Sequence, residues 1–258
     1  MRSRASAPDL TGRVAGLQRE WDRLGSANPK WAVCTTKRDR HWDDDEFFAT
    51  GAVEIDRLLD YLDAEAPGLR RDDALDFGCG VGRLTRALAA HFDRAVGVDV
   101  APSMVAEAHR LLEAHPLTEA RSCTFVVNDS PDLARFGDAS FDLVYSTMVF
   151  QHMAPSLTTA YLEEFRRVLR PDGAAVFTMT SEPAPTWRGR GWRWLPRPLI
   201  HTYKRWHDGA HAVMEMHGIR ADEMTRILER RGFTVVDVVP SDVGAPDWLA
   251  FRYLARPT

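Results

Sequence analysis

This chain has no long apolar run, so a membrane-spanning helix, which needs about 18 consecutive apolar residues, is excluded on sequence. Cysteine is scarce: Cys34, Cys79 and Cys123 are odd in number, widely spaced and form no C-x-x-C pair. Neither a disulfide framework nor a thiolate zinc site follows from them. Lysine is nearly absent, with Lys30, Lys37 and Lys204 the only three among 33 basic residues. The 37 acids leave a net charge of −4, which argues against a general nucleic-acid coat. No apolar stretch follows Met1-Arg2-Ser3-Arg4, so no signal peptide is expected, and the expected location is cytoplasmic. The 258 residues, 45% hydrophobic and 27% charged, suit one large globular domain or one with a small appendage.

Residues 1–50 are polar and dotted with Trp21, Trp31 and Trp42. Ile55, Leu58, Leu59 and Leu62 then recur at helical spacing and predict a helix over 51–64. From Asp73 onward, short apolar runs alternate with helix-length segments. Strands are predicted at 74–77, 95–98, 123–127, 141–146 and 174–179, with helices following Val81, Pro102 and Tyr161. Pro171-Asp172-Gly173 is a turn that stops the helix before the fifth strand. Such alternation implies right-handed crossovers and a doubly wound, mostly parallel sheet covered on both faces. Residues 181–217 break the rhythm with four prolines and four tryptophans. A helix at 220–231, a strand at 233–239 and a last apolar stretch at 248–254 close the chain. The expected organisation is an N-terminal helical extension or lid over 1–65, then one domain over 66–258 with an inserted lid at 181–217.

Asp76-Phe77-Gly78-Cys79-Gly80-Val81-Gly82 stands where the first strand passes to its helix. Glycines there permit a tight turn and close ligand approach. The spacing departs from the dinucleotide fingerprint, because the third glycine comes one residue early, and no Gly-Lys-Ser/Thr follows for a phosphate loop. An acid directly before the first glycine would repel a pyrophosphate but accept hydrogen bonds from an ammonium group. Asp99, 21 residues after Gly78, ends the second strand where an acid can hold ribose hydroxyls. Asp129 is expected at the end of the third strand, placed for an adenine amino group. Three carboxylates on consecutive strand ends suit an adenosine ligand with a cationic tail and no phosphates, that is, S-adenosylmethionine.

On these residues, with Gly97-Val98-Asp99, Phe141-Asp142-Leu143-Val144-Tyr145-Ser146 and Arg167-Val168-Leu169-Arg170-Pro171-Asp172-Gly173, the chain resembles class I S-adenosylmethionine-dependent methyltransferases. The resemblance covers about residues 70–180. It implies the Rossmann-like methyltransferase fold, an α/β sheet of seven strands with the last antiparallel. It further implies that Asp76, Gly78, Cys79, Gly80 and Gly82 hold the methionine end of the cofactor and that Asp99 takes the ribose. Val100 and Met104 would lie against the adenine, Asp129 and Ser130 would meet its amino edge, and Ser146 and Thr147 would line the sulfonium.

Displacement at a sulfonium releases a neutral thioether, so the protein mainly aligns the reactants and excludes water. A base is needed only where the nucleophile must lose a proton. His152, after the fourth strand, is the candidate, set against a purely packing role. Residues 187–211 carry a net charge of +5, interleaved with Trp187, Trp192, Trp194, Tyr203 and Trp206. This fits a lid over an aromatic or anionic small molecule, a base-stacking nucleic-acid surface or a structural hairpin, nucleic acid being the least favoured. Trp31, Trp192, His201, Tyr203, His207 and His217 are the candidate substrate contacts. His207 and His211 stand at i, i+4 without a cysteine or H-E-x-x-H partner, so no metal is expected. The function expected is methyl transfer to a hydroxyl oxygen of a small metabolite. N- or C-methylation, RNA-base methylation and a catalytically inactive partner subunit are the alternatives.

Overall fold

The structure is a computed structural model describing residues 9–35, 37, 41–117, 122–186, 215–242 and 247–258. Its centre is a seven-stranded sheet in the order β3-β2-β1-β4-β5-β7-β6. The strands are β1 (Asp73–Phe77), β2 (Arg94–Asp99), β3 (Ser122–Val127), β4 (Phe141–Ser146), β5 (Leu169–Pro183), β6 (Phe233–Ser241) and β7 (Trp248–Pro257). The first five pair in parallel, and β7 runs antiparallel between β5 and β6. The chain reverses its winding between β1 and β4. In an open parallel sheet the crevice at the carboxyl ends of such strands receives the ligand.

Two-residue alternation divides the side chains between two cores. Leu75, Phe77, Val96, Val98, Val144, Ala175 and Phe177 face one side, packed against α6 (Pro155–Val168) and α7 (Ala221–Arg230). Ala74, Ala95, Leu143, Tyr145, Ala174 and Val176 face the other, under α3 (Asp44–Glu65) and α4 (Arg83–Leu88). α5 (Pro102–Ala114) completes that layer, with Val105 and Ala108 against Phe125. α3 starts at Asp44, earlier than the apolar periodicity indicates. Asp43 caps it by accepting from the Asp45 and Glu46 amides, and three acids follow in the first turn, where the helix dipole favours them.

Two helices precede α3. α1 (Leu10–Ala27) has a polar sequence but buries Val14 in the first core and Leu24 in a third cluster with Met104, Phe47 and Trp42. It therefore joins both layers. α2 (Pro29–Val33) begins at Asn28, whose side chain accepts from the Trp31 amide.

β5 corrects the sequence reading. α6 ends at Val168, and the strand begins at once with Leu169 rather than at Ala174. Pro171-Asp172-Gly173 sits inside it as an irregularity: Phe141 pairs with Leu169 and Leu143 with Ala174, so five residues of β5 pass two of β4. Gly173 is needed there because a Cβ would lie 2.9 Å from the Asp142 carbonyl oxygen. Among the described residues no helix is long and apolar enough to cross a membrane.

Candidate functional site

The turn after β1 is folded back onto β2 by its own amides. Gly78 and Cys79 both donate to the Val98 carbonyl, and Gly80 donates to Asp99 Oδ2 at 2.9 Å. Gly80 and Gly82 have φ of +53° and +83°, a left-handed backbone costing other residues roughly 1–2 kcal/mol. Space excludes other residues too: a Cβ on Gly80 would stand 2.4 Å from Val33 Cγ2, and one on Gly82 2.5 Å from the Phe125 ring. Thus α2 packs directly on the turn. Cys79 is buried, its thiol pushed well above the ordinary range by burial, and it faces Gly97.

The three acids occupy three different environments. Asp76 is 2% exposed and lies beneath the turn, where Thr85 Oγ1 donates to its Oδ2 at 2.6 Å. Burial raises its pKa to about 7 against the smaller pull of that bond and of Arg83. Asp99 is half-buried, accepting from Gly80 through Oδ2 and from the Ala101 amide through Oδ1, both at 2.9 Å. A carboxylate has about four acceptor positions, so the backbone amides do not use up its capacity. Burial raises the pKa of Asp99 as well.

Asp129 differs from expectation: β3 ends at Val127, and Asp129 is exposed beyond it. The buried polar residue at that edge is Asn128, which donates to the Ser130 and Asp132 carbonyls. Ser130 Oγ donates to Asp132 Oδ1, and its carbonyl also accepts from Tyr161.

Other expected contacts are engaged elsewhere. Ser146 is 1% exposed and donates to the Phe77 carbonyl, joining the ends of β4 and β1. Met104 is 1% exposed in the cluster with Leu24, and a Cβ on Gly25 of α1 would meet its sulfur at 3.3 Å. Ser146 is thus engaged in a hydrogen bond and Met104 in packing within the protein. Val100 is half-buried, and its carbonyl accepts from Gln18 of α1 at 3.1 Å. Thr147 lies beside Thr178, whose hydroxyl accepts from the Met148 amide. Met148 has a φ of +62°, a strained conformation for a side-chain-bearing residue next to the crevice.

His152 ends a 3-10 turn (Phe150–His152) and is 7% exposed. Its Nδ1 lies 3.0 Å from the Glu215 carbonyl, and its Nε2 lies 3.0 Å from the Gln151 side-chain nitrogen. Trp21 of α1 meets the imidazole edge-on, ring centroids 5.1 Å apart. The Glu215 segment is fixed in turn: the His217 amide donates to the Gln151 carbonyl, and Ile219 donates to Thr180. His217 faces Glu215 at 3.4 Å.

α1 thus crosses the crevice. Two adjacent residues tie it to different elements: Asp22 accepts from the Ser103 amide at 2.8 Å, at the start of α5, and Trp21 touches His152. Gln18, Trp21, Asp22 and Gln151 escaped the sequence reading, because a polar helix and an amide carry no motif. Trp31 is half-buried on α2. Trp192, His201, Tyr203, His207 and His211 lie outside the described residues. Among those described, no group of His, Cys, Asp and Glu is placed to hold a metal ion.

Asp99 keeps acceptor capacity beyond its bonds to the Gly80 and Ala101 amides, which is compatible with a ligand's hydroxyl donors there. Residues 74–173 match the family model described as a methyltransferase domain. The chain is 33% identical over 197 residues to a ubiquinone biosynthesis O-methyltransferase of Cereibacter sphaeroides, covering 72% of this chain and 68% of the relative. It is 28% identical to the O-methyltransferase cnsE of Penicillium expansum, covering 77% of this chain but 65% of that relative's length. The fold matches the magnesium protoporphyrin IX methyltransferase of Synechocystis PCC 6803, solved with bound SAH. That likeness has a TM-score of 0.62 at 17% identity and covers 95% of this chain and 99% of the other. Sheet order, glycine turn and sequence relatives agree, and the chain belongs to the S-adenosylmethionine-dependent methyltransferases of class I.

Proposed function

We propose that the protein transfers a methyl group from S-adenosylmethionine to a hydroxyl oxygen of a small molecule. The observation that carries the oxygen assignment is the 3.0 Å contact between His152 Nδ1 and the Glu215 carbonyl. A carbonyl at Nδ1 can only accept, so the hydrogen of the neutral ring sits on Nδ1 and the lone pair on Nε2. A ring held this way is ready to take a hydroxyl proton at Nε2. The names of the Cereibacter and Penicillium relatives support the same reading.

In this proposal Asp99 holds the ribose, the turn from Gly78 to Gly82 receives the methionine end, and Val100 borders the adenine. Asp76 acts from beneath the turn. The bound cofactor supplies a methyl carbon activated by a sulfonium. α1 and α2 form one wall of the crevice as the lid within 1–65. Within the 181–217 stretch, Trp192, His201, Tyr203, His207 and His217 are the candidates for contact with the acceptor.

The test is His152→Ala. The expected result is a kcat lower by roughly 10²–10⁴-fold with cofactor affinity near that of the unaltered protein. An unchanged kcat means that the acceptor reacts without losing a proton to His152, as an amine or an existing carboxylate would. Radiolabelled methyl transfer into separated small-molecule, RNA and protein fractions tests the acceptor class, and label confined to RNA rejects it.

A further inference from the structure

His152 has a neighbour whose chemistry complements it in both protonation states. The Gln151 side chain is 5% exposed, and its nitrogen lies 3.0 Å from His152 Nε2. With the ring hydrogen committed to the Glu215 carbonyl, Nε2 of the neutral ring is an acceptor and the amide donates to it. Once Nε2 carries a proton the same amide is mismatched, but rotation by about 180° presents Oε1 as an acceptor.

We propose that Gln151 is a positioning residue for His152. Its amide donates to Nε2 in the resting site, yields that place to the acceptor hydroxyl, and accepts from Nε2–H after the proton has moved. The step moves one proton from the acceptor oxygen to Nε2 and leaves the oxygen's electron pair free for the incoming methyl carbon. The proton is afterwards lost to solvent.

Two segments hold the pair at this spot, the stretch 215–217 and α1. The Gln151 carbonyl accepts from the His217 amide at 2.7 Å, the Glu215 carbonyl holds Nδ1, and Trp21 covers a ring edge. Among the described residues, the charged groups on the elements that touch the ring include Glu215 and His217, which face each other at 3.4 Å, and Asp22 on α1, whose carboxylate accepts from the Ser103 amide. A donor at Nε2 favours the neutral imidazole, so removing it makes the ring easier to protonate. This inference extends the base reading of His152 by naming the group that manages its lone pair.

The experiment follows the His152 imidazole by nitrogen-15 NMR in the full chain, in the unaltered protein, Gln151→Leu and Gln151→Glu. The unaltered ring is expected as the Nδ1–H form at neutral pH. Gln151→Leu should raise its titration midpoint by about half a unit to one unit, and Gln151→Glu by more, since a carboxylate favours the imidazolium. The lower limb of the kcat–pH profile should move in the same direction. An unmoved midpoint in Gln151→Leu, or an Nε2–H ring in the unaltered protein, overturns the proposal. A midpoint that moves while the kcat profile stays put leaves the Gln151 assignment standing and rejects the base role of His152. Cofactor affinity, read by calorimetry in each variant, shows that the site is folded, and Gln151→Glu provides the reading if Gln151→Leu does not fold.

Discussion

The two ends of the parallel sheet carry the same residue type and put it to opposite uses. At the amino end Asp142, 2% exposed, accepts from Arg170 at 2.7 Å, from Arg70 at 3.1 Å and from the amides of Asp72 and Asp73. Asp73 accepts from Arg94 and Arg170, and although burial alone would raise its pKa, these guanidinium bonds outweigh it and the pKa is lowered. At the carboxyl end, among the described residues, neither Asp76 nor Asp99 is ion-paired. Arg83, near Asp76, is committed to Glu54 of α3 at 2.7 Å. Burial therefore prevails and both pKa values rise. Aspartates with arginine partners clamp the strands together. Those supplied only with backbone amides or a hydroxyl retain a demand for donors, which a ligand can meet.

Removing the clamp should have the largest effect on stability. Asp142→Ala leaves Arg170, Arg70 and two amides without their shared acceptor and should cost about 3–5 kcal/mol, read as a lower thermal midpoint. Cofactor affinity per folded molecule should stay near the original value, and a large loss of affinity would erase the division between the two ends.

Asp99→Ala should reverse that pattern. Losing the ribose acceptor together with the anchor of Gly80 should weaken S-adenosylmethionine binding by roughly 10²-fold, at about 1.5–3 kcal/mol for each charge-assisted bond. Calorimetry on the variant checks this, and unchanged affinity would show that another group takes the ribose.

The effect sharpest in sign is on pH dependence. A carboxyl whose pKa rises on folding contributes stability below its unfolded value near 4, and that contribution is lost as pH rises through about 7. Asp76→Asn should therefore flatten a decline in stability between pH 4 and 7 of at most about 1.4 kcal/mol per unit. Asp73, with its pKa lowered, contributes stability above pH 4 that is lost on acidification, so Asp73→Asn should flatten the opposite slope. Denaturant unfolding across this range reads both, and slopes of the same sign in the two variants would break the contrast.

Much of the fold is legible in the sequence because strand alternation, helix periodicity and turn glycines are local properties. Leu75 and Phe77 face one core while Ala74 faces the other, as their spacing in the chain requires. The turn Gly78–Gly82 and the strand-end position of Asp99 are equally local, since only glycine tolerates the backbone needed there. Deviations arise where a contact from far along the chain overrides a local signal. Pro171-Asp172-Gly173 is a turn by composition, yet pairing with β4 absorbs it into β5. Asp129 is adjacent to β3 in sequence, but Asn128, tied to Ser130, Asp132 and Tyr161, is the residue turned inward.

The sequence by itself determined the doubly wound α/β class, the glycine turn and the acids at the ends of β1 and β2, because each follows from residues within a few positions of one another. Tertiary structure alone decided which side chains remain available at the crevice. It buried Asp76 against Thr85 and Met104 against α1, and it brought Trp21 and Glu215 to His152 and its neighbour Gln151 from two distant stretches of chain. The physical reason is that a buried polar group must find its partner wherever the packed chain supplies one, and sequence distance sets no limit on that search.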